Sequence, residues 1–198
     1  MPFRGASSTS AGNRIESAYF GIAGEPVFRN NGYGIWRSKF DERGNRIETA
    51  YFGIDGEPVF HNNGIATWRS KYDERGNRIE SAYFGIDGEL VNGDVAYVRM
   101  SYNERNRLIE KTQHDAAGNL LAHRKSGRAV NRYEYDQNGR LLRECNFDAA
   151  LRPVGMKGEG EWACRVRVYD DEGRAIEDQL LDTSDTVVGI RAIENGGE

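Results

Sequence analysis

The side chains that could do chemistry in this sequence are three histidines, two cysteines and a large number of carboxylates. A hydrolytic metal centre would need two or three of His61, His114 and His123 at ligand spacing, with acidic or thiolate partners. His61 instead stands in an HNNG loop whose earlier counterpart reads RNNG, with Arg29 in its place. His114 fills an aromatic slot before a turn aspartate, the slot that Phe147 fills later. Turn and surface roles are therefore expected for both. His114-Asp115 also spells the dyad of metal-dependent phosphohydrolases, without the further helical ligands such enzymes need. Cys145 and Cys164 lie on segments that antiparallel pairing would bring together, which permits a disulfide in an exported chain. Two reduced, buried small hydrophobes is the preferred reading. Paired carboxylates could do glycosidase work, yet Asp41, Asp55, Asp73, Asp87, Asp136 and Asp170 recur at turn positions, where folding already explains them. Calcium-binding nonapeptides are missing, and DERGN puts arginine where a ligand would be wanted. No catalytic residue, metal or cofactor is expected, and the chain is read as a non-enzyme.

The elements that carry these residues repeat. Residues 12–43 (GNRIESAYFGIAGEPVFRNNGYGIWRSKFDER) and 44–75 (GNRIETAYFGIDGEPVFHNNGIATWRSKYDER) differ at 7 of 32 positions. A third copy opens at Gly76 and drifts, and diverged copies fill residues 76–190. The aromatic–acid anchors Phe40-Asp41, Tyr72-Asp73, Tyr102-Asn103, Tyr135-Asp136 and Tyr169-Asp170 fall 32, 30, 33 and 34 residues apart. Self-similarity at such a period marks a repeat array in which neighbours stabilise each other. Each unit has two turn signals, aromatic-Asp-x-x-Gly and FGIDG. Asp at the first turn position accepts backbone hydrogen bonds, and Gly at the fourth supplies positive φ.

Flanking segments alternate with period two: Ile47, Thr49 and Tyr51 share one face, and Trp68, Ser70 and Tyr72 share another. GRAIEDQLL could pass for a helix alone, but its alignment with GNRIESAYF makes it a strand. If Tyr72 pairs with Asn77, Trp68 faces Ser81, Ser70 faces Ile79 and Arg69 faces Glu80. The same arithmetic pairs Arg37 with Glu48 and Arg99 with Glu110. The fold class that follows is all-β: an antiparallel meander of hairpins, ten or so strands, forming a curled open sheet or partial shell. Residues 1–11 are expected to be a flexible N-terminal segment, 12–190 a single repeat domain, and 191–198 a polar C-terminal tail.

YEYDQNGRLL and RVYDDEGRAI resemble the tyrosine–aspartate (YD, or Rhs-type) repeats of bacterial proteins, whose common core is Y-x-Y-D-x-x-G-R-L; residues 133–141 match it closely. The earlier units are similar to a longer variant of the motif, and the resemblance runs from about residue 12 to 190. It implies a β-hairpin array with scaffold and interaction roles. In large Rhs proteins such repeats build a hollow shell around a toxin, whereas this chain has too few units for a closed shell. The resemblance carries no catalytic residues.

Composition excludes further classes. Leu, Ile, Val and Phe total 40 of 198 residues, enough for a lean core, while a net charge of −4 argues against disorder. No basic stripe suggests nucleic acid. No apolar run reaches membrane-spanning length, and the amino terminus lacks a secretory signal. The compartment stays open between the cytoplasm and export as part of a larger assembly. The expected role is presentation of a β-surface to a protein partner, or a place in a larger β-shell. Candidate surface residues are Trp36, Trp68, Arg37, Arg69, Phe28 and Phe60, equivalent in pairs one unit apart, against the plainer reading that the tryptophans belong to the sheet's buried face. The NNG loops (Asn30, Asn31, Asn62, Asn63) are a second candidate ridge. A carbohydrate- or cell-surface-binding array is the alternative, and an enzyme site within 106–198, around His114, His123 and Cys145, the second.

Overall fold

The computed structural model describes residues 3–8, 14–20, 22–25, 27–28, 30–91, 94–155 and 162–193. All regular structure among them is β, in thirteen strands. Two compact units divide the chain, residues 1–97 and 98–198, where one domain was expected. The first holds β1 (Phe3–Ser8), β2 (Arg14–Phe20), β3 (Ile35–Phe40), β4 (Arg46–Phe52), β5 (Thr67–Tyr72) and β6 (Arg78–Phe84). The boundary falls at the start of β7 (Tyr97–Tyr102). The second unit continues with β8 (Leu108–His114), β9 (Val130–Tyr135), β10 (Leu141–Phe147), β11 (Cys164–Tyr169), β12 (Ala175–Leu181) and β13 (Val187–Ala192). Within each unit the strands lie in chain order, and every described pairing is antiparallel. GRAIEDQLL is a strand, as its alignment required. The segment expected to be flexible contains β1, which pairs with β2 from Phe3↔Phe20 onward, because its backbone finds a ladder partner there. Residues 1–2, 9–11 and 194–198 of the two expected terminal segments lie outside the described residues, while β13 claims Arg191 and Ala192.

The turns behave as their chemistry demands. In the Asp73–Gly76 turn, the Gly76 N–H donates to the Asp73 carbonyl oxygen (3.1 Å) and the Asp73 N–H to that of Asn77 (2.9 Å), with Gly76 at φ 84°. One carboxylate oxygen of Asp73 accepts the N–H groups of Arg75 and Asn77, and the other accepts the Asn77 side-chain amide. Asp41 repeats the arrangement with Arg43 and Asn45. Where glycine is missing from the fourth position, Asn106, Leu151 and Asp185 take the left-handed conformation instead, at φ 60°, 59° and 61°. A third turn also appears in the second repeat: His61–Gly64 closes in the same way, with Gly64 at φ 79°.

These turns change the expected register. The Asp73 clasp holds Asn77 inside the turn, so Tyr72 pairs with Arg78, and a bulge between Lys71 and Tyr72 shifts the rest. Trp68 faces Tyr83, Ser70 faces Ser81 and Arg69 faces Ala82; Glu80 faces Lys71. Arg37 likewise faces Ala50, while Glu48 faces Lys39. Glu110, expected opposite Arg99, pairs with Arg132 of the following hairpin. Opposite charges do meet, but at these positions Lys39 and Lys71 pair within their hairpins, while Arg37, Arg69 and Arg132 pair across the seam to the preceding one.

Apolar burial is sparse. The clustered core consists of Cys145, Cys164 and Leu181, with Phe147 and Val166 packed on it, and many other buried side chains are polar: Ser17, Ser38, Thr49, Ser70, Ser81, Asn131, Asn146 and Asp178. Stability must therefore rest heavily on turns and seams. The Asn45 and Asn77 side-chain hydrogen bonds hold the Asp41 and Asp73 carboxyls below their ordinary range, and the Arg174 side chain does the same for Asp170. A depressed native value stabilises the fold above the unfolded carboxylate range, and that contribution is lost as the group protonates. Resistance to urea should stay level from neutral pH to about 5 and fall from about pH 4 downward; Asp41→Asn with Asp73→Asn should flatten the fall, as a series of urea melts would show.

Candidate functional site

In the first unit, one sheet face reads as rows. Trp36 lies opposite Tyr51 and Trp68 opposite Tyr83. Beside them runs a row of small hydroxyls, Ser38 bonded to Thr49 (2.9 Å) and Ser70 to Ser81 (3.3 Å), all four buried. Towards the inter-hairpin loops, Tyr33 packs on Tyr19, Tyr51 and His61, with ring centroids 6.1, 4.9 and 5.7 Å apart. His61 therefore has an aromatic packing role besides its turn role. Trp36 and Trp68 are half-buried in these rows. Burial pushes the Tyr51 phenol up, partly offset by a hydrogen bond from Trp68, which ties one hairpin to the next.

The opposite face carries the charges, because neighbouring residues on a strand point to opposite sides. The Arg37 Nε donates to Glu16 (2.7 Å) and the Arg69 Nε to Glu48 (2.8 Å), while their guanidinium groups lie over Phe52 and Phe84, 4.6 and 4.5 Å from the ring centroids. Arg132 repeats both contacts with Glu110 and Phe147 in the second unit. Each such arginine bonds the preceding hairpin with its edge and its own hairpin with its plane. The pairs are exposed and worth roughly a few tenths of a kcal/mol each, with the ring contact adding about 0.5–1. They fix register more than they stabilise. The six expected surface residues thus do not form one ladder. Trp36 and Trp68 lie on the aromatic face and Arg37 and Arg69 on the charged one, while Phe28 and Phe60 stand out at 53% and 47% exposure. The NNG loops stack between units: the Asn62 N–H donates to the Asn31 carbonyl oxygen and its side-chain amide to that of Asn30.

In the second unit the seam shows what each letter of Y-D-x-x-G-R does. The Tyr135 hydroxyl donates to the Leu108 carbonyl oxygen and the Tyr169 hydroxyl to that of Leu141, each in the preceding hairpin (2.9 Å). The Arg140 Nε donates to Asp136 (2.6 Å), and its guanidinium lies over the next tyrosine, Tyr169. The missing side chain of Gly139 leaves the space that Arg107 occupies, and Gly173 does the same for Arg140. Tyrosine, aspartate, glycine and arginine all serve turn or seam.

This unit also exchanges aromatic pairs for polar ones. At the positions of Trp68 and Tyr83 stand Asn131 and Asn146, exposed by only 1% and 0%. Asn131 donates its amide to Asn146 Oδ1 (2.7 Å), and Asn146 donates to the Ala163 carbonyl oxygen (3.2 Å). Beyond them, Arg165 pairs with Glu144 (2.6 Å) and Arg167 grips both oxygens of Asp178, holding that carboxyl below its ordinary range. No motif marks these residues. Aligning the units strand by strand would have shown asparagine twice in aromatic slots.

The remaining candidates stay apart. His114 is buried with Nε2 near the Thr112 hydroxyl (2.8 Å) and Nδ1 near the Gly118 carbonyl oxygen (3.2 Å). A carbonyl can only accept, so Nδ1 carries a proton. His123 is exposed in a loop. Among the described residues, no group of three His, Cys, Asp or Glu side chains could hold a metal ion. Cys145 and Cys164 face each other and are bonded as a disulfide, with S–S 2.07 Å, rather than lying as two free thiols. Their register made the bridge attainable; the sequence reading had preferred the reduced pair.

Comparisons with known proteins give a fold. No family model matches the chain, and no curated protein matches it. Among solved structures it is similar to one titled "Crystal Structure of TcdB2-TccC3", with TM-score 0.50 and 13% identity, covering 96% of this chain and 10% of that one. It is also similar to "Crystal Structure of TcdB2-TccC3-Cdc42", with TM-score 0.45 and 14% identity, covering 90% and 9%. The chain thus spans about a tenth of the length of these structures. The likeness is one of fold.

The buried asparagine pair makes a testable case. Asn146→Ala should cost about 1–3 kcal/mol in urea unfolding, because the Asn131 amide is left without its acceptor. Replacing both by valine should cost less than the sum of the two single changes, as a double-mutant cycle would measure.

Proposed function

We propose that this chain is a non-enzymatic segment of a YD-type β-array, which serves as a scaffold and offers its aromatic face to a protein partner or to neighbouring repeats of a larger shell. One observation carries the reading: the recurring polar residues are occupied in turns and seams. Asp41 and Asp73 clasp backbone, Glu16, Glu48 and Glu110 bind the next hairpin's arginine, and Tyr135 and Tyr169 cap a neighbour's carbonyl. Trp36 and Trp68 recur on the face opposite those ion pairs and stay only half-buried there. The fold likeness to a small part of a far longer structure supports a segment role. No helix among the described residues is long and apolar enough to cross a membrane.

The test uses the full chain as bait in a native bacterial lysate, with bound proteins quantified by mass spectrometry. A stoichiometric partner is expected, lost or reduced at least tenfold on Trp36→Ala with Trp68→Ala and retained on Arg37→Gln with Arg69→Gln. Equal retention by the tryptophan variant would refute the aromatic face as the docking surface. Specific glycan-array binding, abolished by the same tryptophan changes, would replace the protein partner with a carbohydrate.

A further inference from the structure

The seam between β10 and β11 is built differently from the others. The described seams β2·β3, β4·β5 and β8·β9 each pair a glutamate with an arginine on the charged face: Glu16↔Arg37, Glu48↔Arg69 and Glu110↔Arg132. At the equivalent position β10·β11 places Arg143 opposite Val166, so that ion pair is gone. Two residues on, on the same face, where the β4·β5 seam has Ala50 and Thr67, stand Cys145 and Cys164. This seam keeps a glutamate–arginine pair only at the neighbouring position, Glu144 with Arg165 (2.6 Å), and adds a covalent bond.

Arg143 lies opposite Val166 on β11 and Glu134 on β9, and it turns its guanidinium to the bridge. Its Nε lies 3.1 Å from Cys145 Sγ, and its Nη2 reaches both Cys164 Sγ (3.5 Å) and Asp185 Oδ1 (2.5 Å). Both cysteines, though buried, line a cleft of about 510 Å³, whose charged residues are Arg132, Arg143, Glu134 and Asp185. A cationic group beside a cysteine sulfur favours the thiolate, and a stabilised thiolate leaves a disulfide faster. A bridge that only had to hold strands together needs neither the cleft nor the guanidinium.

We propose that Cys145–Cys164 is a thiol–disulfide exchange site that small dithiols open in the folded protein, with Arg143 as the positioning residue that holds the departing Cys145 thiolate. A thiolate of the dithiol attacks Cys164 Sγ, the S–S bond breaks, and its electron pair goes to Cys145 Sγ beside Arg143. The second thiol of the reductant then displaces Cys164 from the mixed disulfide. The dithiol leaves as a cyclic disulfide, two electrons have moved to the protein, and both cysteines end as protonated thiols. Opening the bridge removes the covalent bond and leaves this seam its backbone ladder and the Glu144–Arg165 pair, so it loosens while β8·β9 is unchanged. This inference does not depend on the scaffold reading.

The test is a time course of the oxidised full-length chain in dithiothreitol without denaturant, quenched by alkylation and read by mass. Reduction of the wild type is expected within the native state, judged by unchanged circular dichroism. Arg143→Gln should slow it about tenfold. Asp185→Asn, which asparagine tolerates at positive φ, should speed it by freeing Arg143. Amide exchange should rise on reduction at Asn146, whose N–H donates to the Ala163 carbonyl oxygen, and not at Gln113 in the β8·β9 seam. Reduction only at urea concentrations that unfold the chain, or equal rates in all three proteins, would overturn the proposal and leave a purely structural clip.

Discussion

The turn side chain that closes each described hairpin, a carboxylate in all but the Asn103 turn, is the interaction on which the rest depends. One oxygen of Asp73 takes two backbone N–H groups and the other fixes the side chain that follows the turn. That clasp holds Asn77 out of the ladder and places the bulge, and the bulge decides which residue faces which for the length of both strands. Had the ladder closed one residue earlier, Arg69 would have met Glu80 within its own hairpin and could not have reached Glu48 in the preceding one. Coupling between hairpins is thus set by the geometry of a turn several residues away.

Given that register, the two faces have different tasks. The charged face aligns hairpins through weak pairs whose value is specificity, since exposed ion pairs add little free energy. The aromatic face supplies burial in the first unit, where tyrosine and tryptophan flank a row of small hydroxyls. The second unit solves the same problem with bonded polar groups, Asn131 with Asn146 and Arg167 with Asp178. Such networks stabilise only while every member is satisfied, so that half should be the less tolerant of substitution.

Much of the fold could be read from the sequence because the repeats compare themselves. Two near-identical units, alternation with period two and Asp-x-x-Gly turns suffice for an antiparallel meander, and the alignment overrode the helical look of GRAIEDQLL. The register could not be read, because it depends on whether Asn77 belongs to the turn or to the strand, and both are consistent with its identity. The six surface candidates divide between faces for a related reason: Trp68 and Arg69 are adjacent in sequence and opposite in space. The disulfide was half legible, since strand pairing brings the cysteines together while oxidation state leaves no mark on sequence. The asparagine pair left no motif at all.

The seam contacts are short in chain terms. Tyr135 reaches back 27 residues to cap Leu108, Arg69 reaches back 21 to Glu48, and even Arg143 and Asp185 are only 42 apart. A hairpin therefore needs nothing from the distant chain in order to close and to lock onto the one made just before it. Such a polypeptide can fold in sequence as it is made, each new turn adding one tooth to what has already closed.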